Sequence, residues 1–293
     1  MKQNLMKAYL DIVQQILTHG FKKNNRTGTD ALTIAGAMFE HDMAEGFPLL
    51  TTKKVPFRLV ASELEFFIRG ITDKEWLRKQ DNHIWDEWCS PDIVPYANDE
   101  QTKAMMMKEI ELGPIYGWQW RNFGAKYIAF NKPPESQGCD QLRQLVNTLK
   151  TDPDSRRMIV SAWNPLDIPK MALPPCHYAF QVTVVDGKLN LLWNQRSVDV
   201  ALGLPFNIAS YGCLLHLLAK EGGLGEGRLI GFLGDVHIYV NHVDAIQQQC
   251  ARSPKTLPRI KTQNFTSIFD WHYGDTVIED YNPHPAIKFE IAV

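Results

Sequence analysis

The chain has 293 residues, 44% of them hydrophobic, which is enough to bury a sizeable core in one large domain or two small ones. Its 31 Lys and Arg against 33 Asp and Glu give a formal net charge of −2, which argues against sequence-independent binding to nucleic acid. No apolar run reaches the ~18 residues of a membrane span. Five cysteines without a CxxC pair, in a chain without a signal peptide, predict reduced thiols and a cytoplasmic protein.

The first part of the chain predicts two amphipathic helices separated by a strand. Apolar residues recur at helical spacing over 5–17, and Gly20 follows as a stop. A strand-like run covers 31–39, and the second helix is predicted over 56–70. On this helix Glu63 flanks the apolar stripe. Its carboxylate is therefore either a charge at the rim or a partly buried acid whose pKa desolvation raises.

Aromatic residues are concentrated in the next part of the chain. Two indoles lie within 82–88, where they suit either a corner of the core or a stacking wall for an aromatic ligand. Residues 89–111 are polar and lack a clean period, so we interpret them as an insertion. A glycine-punctuated aromatic stretch covers 113–121, and apolar spacing predicts a further helix over 142–149.

Arginines occur on turns that could bind an anion. Arg156 and Arg157 precede a predicted strand at 158–162, and in a turn the two side chains can converge as a bidentate clamp. The alternative is two exposed charges. Arg26, on the turn-forming run 25–29, is likewise either an anion ligand or a solvated side chain.

Cys176 lies between Pro175 and His177, just where a strand begins. Each of the two preceding prolines holds φ at about −65° and lacks an amide hydrogen, so the backbone entering Cys176 is rigid. A hairpin over 178–193, turning at Asp186-Gly187, places this cysteine at one end of a sheet. Cys176 is either a small buried cysteine after a turn or a nucleophile held at the mouth of a strand.

The last third of the chain predicts a strand, a turn, a helix and another strand. Arg196 and Ser197 lie near the end of the strand that returns from the hairpin, and Asp199 follows. A turn is predicted at 203–207, then a leucine-rich helix, then a strand over 225–233.

Neither a metal site nor a domain boundary is evident. His237 and His242 are five residues apart, and no cysteine or carboxylate is spaced to complete a zinc site. Composition, charge and Pro/Gly content shift together at no point. We therefore expect one α+β domain over 1–293, with a probable insertion at 89–111.

The residue types together indicate covalent chemistry. A cysteine nucleophile, an arginine clamp and a flat aromatic wall suit reaction on a phosphorylated heteroaromatic ring. A cysteine hydrolase that uses Cys176 and His177 is a weaker alternative, because neighbours on a strand face opposite sides.

Several motifs occur in order from near residue 26 to the C-terminus: Arg26-Thr27-Gly28-Thr29, Thr51-Thr52-Lys53-Lys54, Ile84-Trp85-Asp86-Glu87-Trp88, Gly113-Pro114-Ile115-Tyr116-Gly117, Arg156-Arg157, Pro175-Cys176-His177, Gln195-Arg196-Ser197, 203–211, and Gly234-Asp235 with His237 and Tyr239. In these motifs the chain resembles the thymidylate synthase family. The resemblance implies a mixed β-sheet packed with helices, and a homodimer formed through a face of that sheet. It also implies a methyltransferase that makes dTMP from dUMP, with 5,10-methylenetetrahydrofolate as one-carbon and hydride donor, dihydrofolate as by-product and no metal.

The same resemblance implies roles for individual residues. Cys176 would add as thiolate to C6 of the uracil, and the catalytic residues would be Cys176, Glu63, Tyr116, Asp199 and Arg196. The nucleotide would be bound by Arg26, Arg196, Ser197, Asn207, His237 and Tyr239, with Arg156 and Arg157 reaching the phosphate from the partner subunit. The folate would be bound by Lys53, Ile84, Trp85, Trp88, Leu173, Asp199, Gly203, Phe206 and Val293, the last closing over it.

Departures from the family pattern leave alternatives open. Asn194 stands where tyrosine is usual, Val198 replaces a common cysteine and Asp30 replaces a glycine. Asn194 changes polarity near the expected site, which keeps open a dUMP or dCMP hydroxymethylase in which water replaces hydride. A nucleotide-binding module without catalysis is the non-enzyme alternative. It is disfavoured because binding alone needs neither Cys176 nor Glu63.

Overall fold

The computed structural model describes residues 5–24, 28–97 and 99–290, without the side chain of Leu5. The helices are α1 Leu5–His19, α2 Phe57–Arg69, α3 Lys74–Lys79, α4 Glu100–Lys108, α5 Tyr116–Asn122, α6 Gln141–Thr151, α7 Gly203–Gly222 and α8 Val243–Cys250. The strands are β1 Phe21–Lys23, β2 Ala31–Asp42, β3 Ile159–Ser161, β4 His177–Val185, β5 Lys188–Asp199, β6 Gly225–Tyr239, β7 Arg259–Thr262 and β8 Thr276–Glu279. Helices occur together with a sheet whose strands pair mainly in the antiparallel direction, which confirms the predicted α+β class.

One six-stranded sheet organises the molecule. Its strand order is β1-β2-β6-β5-β4-β3, and β7 pairs with β8 in a separate ribbon. β5 and β6 run parallel, whereas the other neighbouring pairs of the large sheet are antiparallel. Parallel neighbours require a crossover, which α7 supplies. The sheet is therefore mixed, as predicted.

The two faces of this sheet differ in burial. Phe39, Val182, Leu191 and Trp193 point into the core and are fully buried. Because side chains alternate along a strand, the intervening residues point the other way. This opposite side, which we call the open face, carries Met38, Ile159, Leu192, Asn194, Ile230 and Phe232.

The second predicted helix and the predicted hairpin are confirmed. α2 follows Pro56 and ends at Gly70, which caps it with a left-handed φ of 70°. The hairpin of β4 and β5 turns at Asp186 and Gly187, whose φ values are 51° and 68°. A two-residue hairpin turn of type I′ requires positive φ at both positions.

Three segments differ from the predictions. The turn predicted at 203–207 is the start of α7, because Pro205 falls in the first helical turn, where its missing N–H is not needed. α4 forms inside 89–111 with an Asp99 cap and only Met106 buried, so no apolar period marks it. The strand predicted over 225–233 continues to Tyr239 as part of β6.

Candidate active site

A cavity of about 610 Å³ lies among α2, β5, β6 and the loop before β4. This volume is typical of a site for a small-molecule ligand. Fifteen residues predicted from the sequence line it: Glu63, Ile84, Trp85, Trp88, Tyr116, Leu173, Cys176, Arg196, Ser197, Asp199, Gly203, Phe206, Asn207, His237 and Tyr239. Residues far apart in sequence thus meet around one space.

The loop that carries Cys176 is held from both sides. The Cys176 N–H donates to the Tyr116 hydroxyl at 2.8 Å, and the Arg196 N–H donates to the Cys176 carbonyl at 2.8 Å. The Arg196 guanidinium donates to the carbonyls of Pro175 and Pro174 at 3.0 and 2.8 Å. These hydrogen bonds hold the backbone of Cys176 in place. The residue itself is partly exposed and lines the cavity.

Glu63 is a partly buried acid rather than a rim charge. Burial raises its pKa to about 7, although the hydrogen bond from Trp85 acts in the opposite direction. That bond runs from Trp85 Nε1 to Glu63 Oε1 at 2.8 Å. An acid with this pKa can both donate and accept a proton near neutral pH.

His177 lies beside Cys176 but is unsuited to activate it. Burial lowers the pKa of His177 to about 3, so the ring is neutral at physiological pH. Its Nδ1 lies 2.9 Å from the Tyr211 hydroxyl, and its ring stacks on Tyr116 at 4.4 Å. Burial also raises the pKa of Tyr116, which therefore keeps its proton. This arrangement disfavours the cysteine hydrolase.

One wall of the cavity is largely apolar. It consists of Ile84, Trp85, Trp88, Leu173 and Phe206, with Gly203 beside them. At its edge, Asp199 Oδ1 accepts hydrogen bonds from the N–H groups of Ala201 and Leu202 at 3.0 and 3.1 Å. Both indoles of 82–88 thus line the cavity, and Trp85 also packs in the core.

Five predicted residues are not placed at this cavity. Lys53 is buried, donates to the Ala201 carbonyl and lies 4.5 Å from the centre of the Phe289 ring. Arg156 and Arg157 are exposed in the turn before β3. Arg26 and Val293 lie outside the described residues.

Some lining residues had no predicted role. They include Lys23 and Asp235, and Lys23 Nζ lies 2.7 Å from Asp235 Oδ2. Asp235 Oδ1 in turn lies 3.0 Å from Nδ1 of His237, for which nucleotide binding was predicted. Gln195 also lines the cavity. It alternates with Ser197 and Asp199 along β5, and this period of two is the signal that could have identified it.

Asn194, expected to change polarity near the site, lies on the other side of β5. It pairs with Ala179 and Phe232 across the sheet and belongs to the open face, whereas Trp193 and Gln195 point inward. It does not line the cavity. The observation that kept water capture open therefore does not apply to this site.

The described residues contain neither a metal-binding cluster nor a membrane-spanning helix. No group of three or more His, Cys, Asp or Glu side chains among them could hold a metal ion. None of the described helices is both long and apolar enough to cross a membrane.

Comparison with known proteins agrees with this geometry. The family model described as thymidylate synthase matches residues 7–293. Proteins named thymidylate synthase from the Dumas and Oka vaccine strains of varicella-zoster virus are each 46% identical to this chain over 286 residues. Each match covers 97% of this chain and 93% of the viral protein.

Proposed function

The chain belongs to the thymidylate synthase family, and from that membership we propose how the residues of its cavity divide the reaction. The family consists of methyltransferases that make dTMP from dUMP, with 5,10-methylenetetrahydrofolate as co-substrate. One observation carries the assignment: Cys176, Glu63 and Asn207 line the same cavity. A nucleophile, an acid with a pKa of about 7 and a base-reading amide then act on one ring.

Cys176 is the nucleophile. Its thiolate adds to C6 of the uracil, and the electrons of the C5–C6 double bond move toward O4, which makes C5 reactive. Support comes from the rigid loop, whose amide and carbonyls are bound by Tyr116 and Arg196. The Arg196 guanidinium brings positive charge to this loop, and positive charge near a thiol favours its thiolate.

Glu63 and Tyr116 transfer the protons at O4 and C5 of the uracil. With a pKa of about 7, Glu63 is present in both protonation states near neutral pH. The Trp85 N–H donates to one carboxylate oxygen of Glu63, so the other oxygen can bind a water or the uracil ring. Tyr116 stays neutral because burial raises its pKa, so it acts as a proton donor or relay.

The polar wall of the cavity binds the nucleotide. The Asn207 amide pairs with N3–H and O4 of the uracil, because it offers an acceptor and a donor side by side. His237 and Tyr239 form hydrogen bonds with the deoxyribose hydroxyl. Ser197, Arg196 and Arg26 hold the 5′-phosphate together with arginines of a second subunit.

The apolar wall fits the folate. Its surface of two indoles, Leu173 and Phe206 suits an aromatic ring system, and Asp199 has a second oxygen available for a ring N–H. When bound, the folate supplies the one-carbon unit and the hydride. The indoles exclude water from C5, and exclusion of water favours hydride transfer. Lys53 remains a prediction for the glutamate tail, and Val293 for closing the site.

The active enzyme is a homodimer joined through the open face. Met38 and Phe232, paired across β2 and β6, are 58% and 44% exposed, and Ile159 on β3 is 50% exposed. Arg156 and Arg157 directly precede β3, at the edge of this face, and the described residues offer neither side chain an ion pair. A second copy packed here covers the apolar rows and brings its own arginines toward the phosphate.

Analysis of both products tests this function. Enzyme, dUMP and methylenetetrahydrofolate should give dihydrofolate, followed by its absorbance, and an equal amount of dTMP, identified by mass. Because Asn194 faces away from the cavity, Asn194→Tyr should leave the product unchanged. Formation of tetrahydrofolate with 5-hydroxymethyl-dUMP would contradict the proposal.

A further inference from the structure

Three side chains form a buried hydrogen-bonded series that ends at Asn207. Trp193 Nε1 donates to Gln195 Oε1 at 3.1 Å, and Gln195 Nε2 donates to Asn207 Oδ1 at 2.9 Å. Trp193 is fully buried and Gln195 is 3% exposed, whereas Asn207 lines the cavity. The series therefore connects a core residue to the amide proposed to read the base.

The direction of this series is determined by its chemistry. An indole N–H can only donate, so it holds Gln195 Oε1 on its own side. Gln195 Nε2 also donates to the Ser197 carbonyl at 3.0 Å, and a carbonyl can only accept. Turning the Gln195 amide over would oppose donor to donor and acceptor to acceptor. Gln195 thus presents a donor to Asn207, and Asn207 must turn its oxygen toward it.

The Trp193 ring is itself locked in place. It lies parallel to Tyr211, with ring centres 5.4 Å apart and an angle of 9°, and 5.7 Å from Phe39. On β6, Gly231 is its register partner, and a Cβ built on that glycine would lie 2.4 Å from the ring. Only glycine at position 231 leaves room for the Trp193 indole.

We propose that Trp193, acting through Gln195, orients the Asn207 amide and thereby sets the selectivity for uracil over cytosine. The inference rests on the proposed binding of dUMP by Asn207. Trp193 touches neither substrate nor reacting atom, so it is a positioning residue.

The reason lies in the edges of the two bases. Uracil presents an N3–H donor and an O4 acceptor, whereas cytosine presents an N3 acceptor and an amino donor. An asparagine amide suits either base, depending on which way it is turned. In the orientation that Gln195 imposes, turning Asn207 over for cytosine would bring its NH₂ group against the Gln195 NH₂ group. Only the binding of cytosine would leave these two donors opposed and unsatisfied, so only the affinity for cytosine is lowered.

Trp193→Phe tests the proposal, because it removes the N–H but keeps an aromatic ring. We expect the ratio of the dCMP inhibition constant to the KM for dUMP to fall about tenfold or more, since one misplaced buried hydrogen bond is worth that factor. The matched control is Trp271→Phe. Trp271 is also buried, donates from Nε1 to Thr276 at 2.9 Å and lies outside the cavity. Its loss should lower the melting temperature without changing the ratio.

The outcomes separate this inference from the proposed function. A parent enzyme that does not turn over dUMP would refute the function itself. If the parent discriminates between the nucleotides and Trp193→Phe discriminates equally, the positioning role is wrong. Should Trp193→Phe fail to fold, Gln195→Met removes the donor to Asn207 while Trp193 stays. An unchanged ratio in that variant would overturn the proposal in the same way.

Discussion

At the scale of single residues, burial determines how the site behaves. Glu63 ordinarily titrates at 4.5, but desolvation raises its pKa to about 7, against the opposing effect of the hydrogen bond from Trp85. Burial acts oppositely on His177, whose pKa it lowers to about 3. These two groups line the same cavity but are suited to different tasks, Glu63 to carrying a proton and His177 to hydrogen bonding as a neutral ring.

Glu63 should make stability depend on pH. Because its folded pKa exceeds the unfolded value, the native state binds more protons between pH 4.5 and 7, and stability falls as pH rises through that window. The contribution is fully present below 4.5 and amounts to at most about 3 kcal/mol. Glu63→Gln should lose this slope. Urea unfolding of both proteins at intervals from pH 5 to pH 8 gives the free energy of unfolding as a function of pH. The same pH dependence in both proteins would contradict the raised pKa of Glu63.

The same substitution should impair catalysis. Loss of a general acid and base costs about a hundredfold or more in kcat. The limb near pH 7 in the profile of kcat/KM should disappear with it. Initial rates from pH 5.5 to pH 9 provide the test. A profile that keeps its limb in Glu63→Gln would assign that titration to another group.

Cys176→Ala should abolish turnover while dUMP binding remains. The thiolate is needed for the covalent step, and its loss should cost at least about a thousandfold in kcat. The phosphate contacts are separate, so calorimetric titration with dUMP should give an affinity close to that of the parent. Turnover within about tenfold of the parent would remove Cys176 from the mechanism.

At the scale of elements, one lysine joins three segments around the aromatic wall. Lys74 on α3 is 1% exposed, and its ammonium donates to the carbonyls of Asp86, Trp88 and Met106 at 2.6, 2.8 and 2.7 Å. Two of these carbonyls belong to the segment 82–88 that carries both indoles, and the third belongs to α4. The segment 89–111 is therefore tied to the wall that is proposed to hold the folate.

Lys74→Met should destabilise the protein and loosen that wall. Three carbonyls would lose their donor, which costs about 3 kcal/mol or more. The KM for the folate should rise more than the KM for dUMP, because the indoles lie on the folate side. Lys79→Met is the control, since Lys79 is exposed on the same helix. Equal changes in both KM values would mean that α3 supports only the fold.

At the scale of the whole molecule, the division of the site between subunits is testable. In one chain, Cys176 and Arg196 line the cavity, whereas Arg157 lies outside it. In a twofold-symmetric dimer, each site would combine the cysteine of one chain with the Arg157 side chain of the other.

Mixing Arg157→Ala with Cys176→Ala chains should restore activity. Half of randomly formed dimers are mixed, and each has one complete site of two, so about one quarter of the parent rate is expected. Mixing Arg196→Ala with Cys176→Ala should restore none, because both residues belong to one chain's cavity. Native mass spectrometry confirms that mixed dimers form. Mixed dimers that stay inactive in both combinations would show that Arg157 acts within its own chain.

The sequence alone determined most of the elements and the chemical components. Local signals, such as Pro56 and Gly70 around α2 and the Asp186-Gly187 turn, act over a few residues and could be read directly. The rigid entry to Cys176 could be read in the same way, since Pro174 and Pro175 directly precede it. The motifs determined the family.

Only the tertiary structure decided how these components behave. The pKa of Glu63 depends on what covers it, and the face on which Asn194 lies depends on the sheet that surrounds β5. The role of Gln195 depends on Trp193, Ser197 and Asn207, brought together by β5 and α7. Desolvation and hydrogen bonding over long sequence separations arise only after folding, so no local pattern in the chain encodes them.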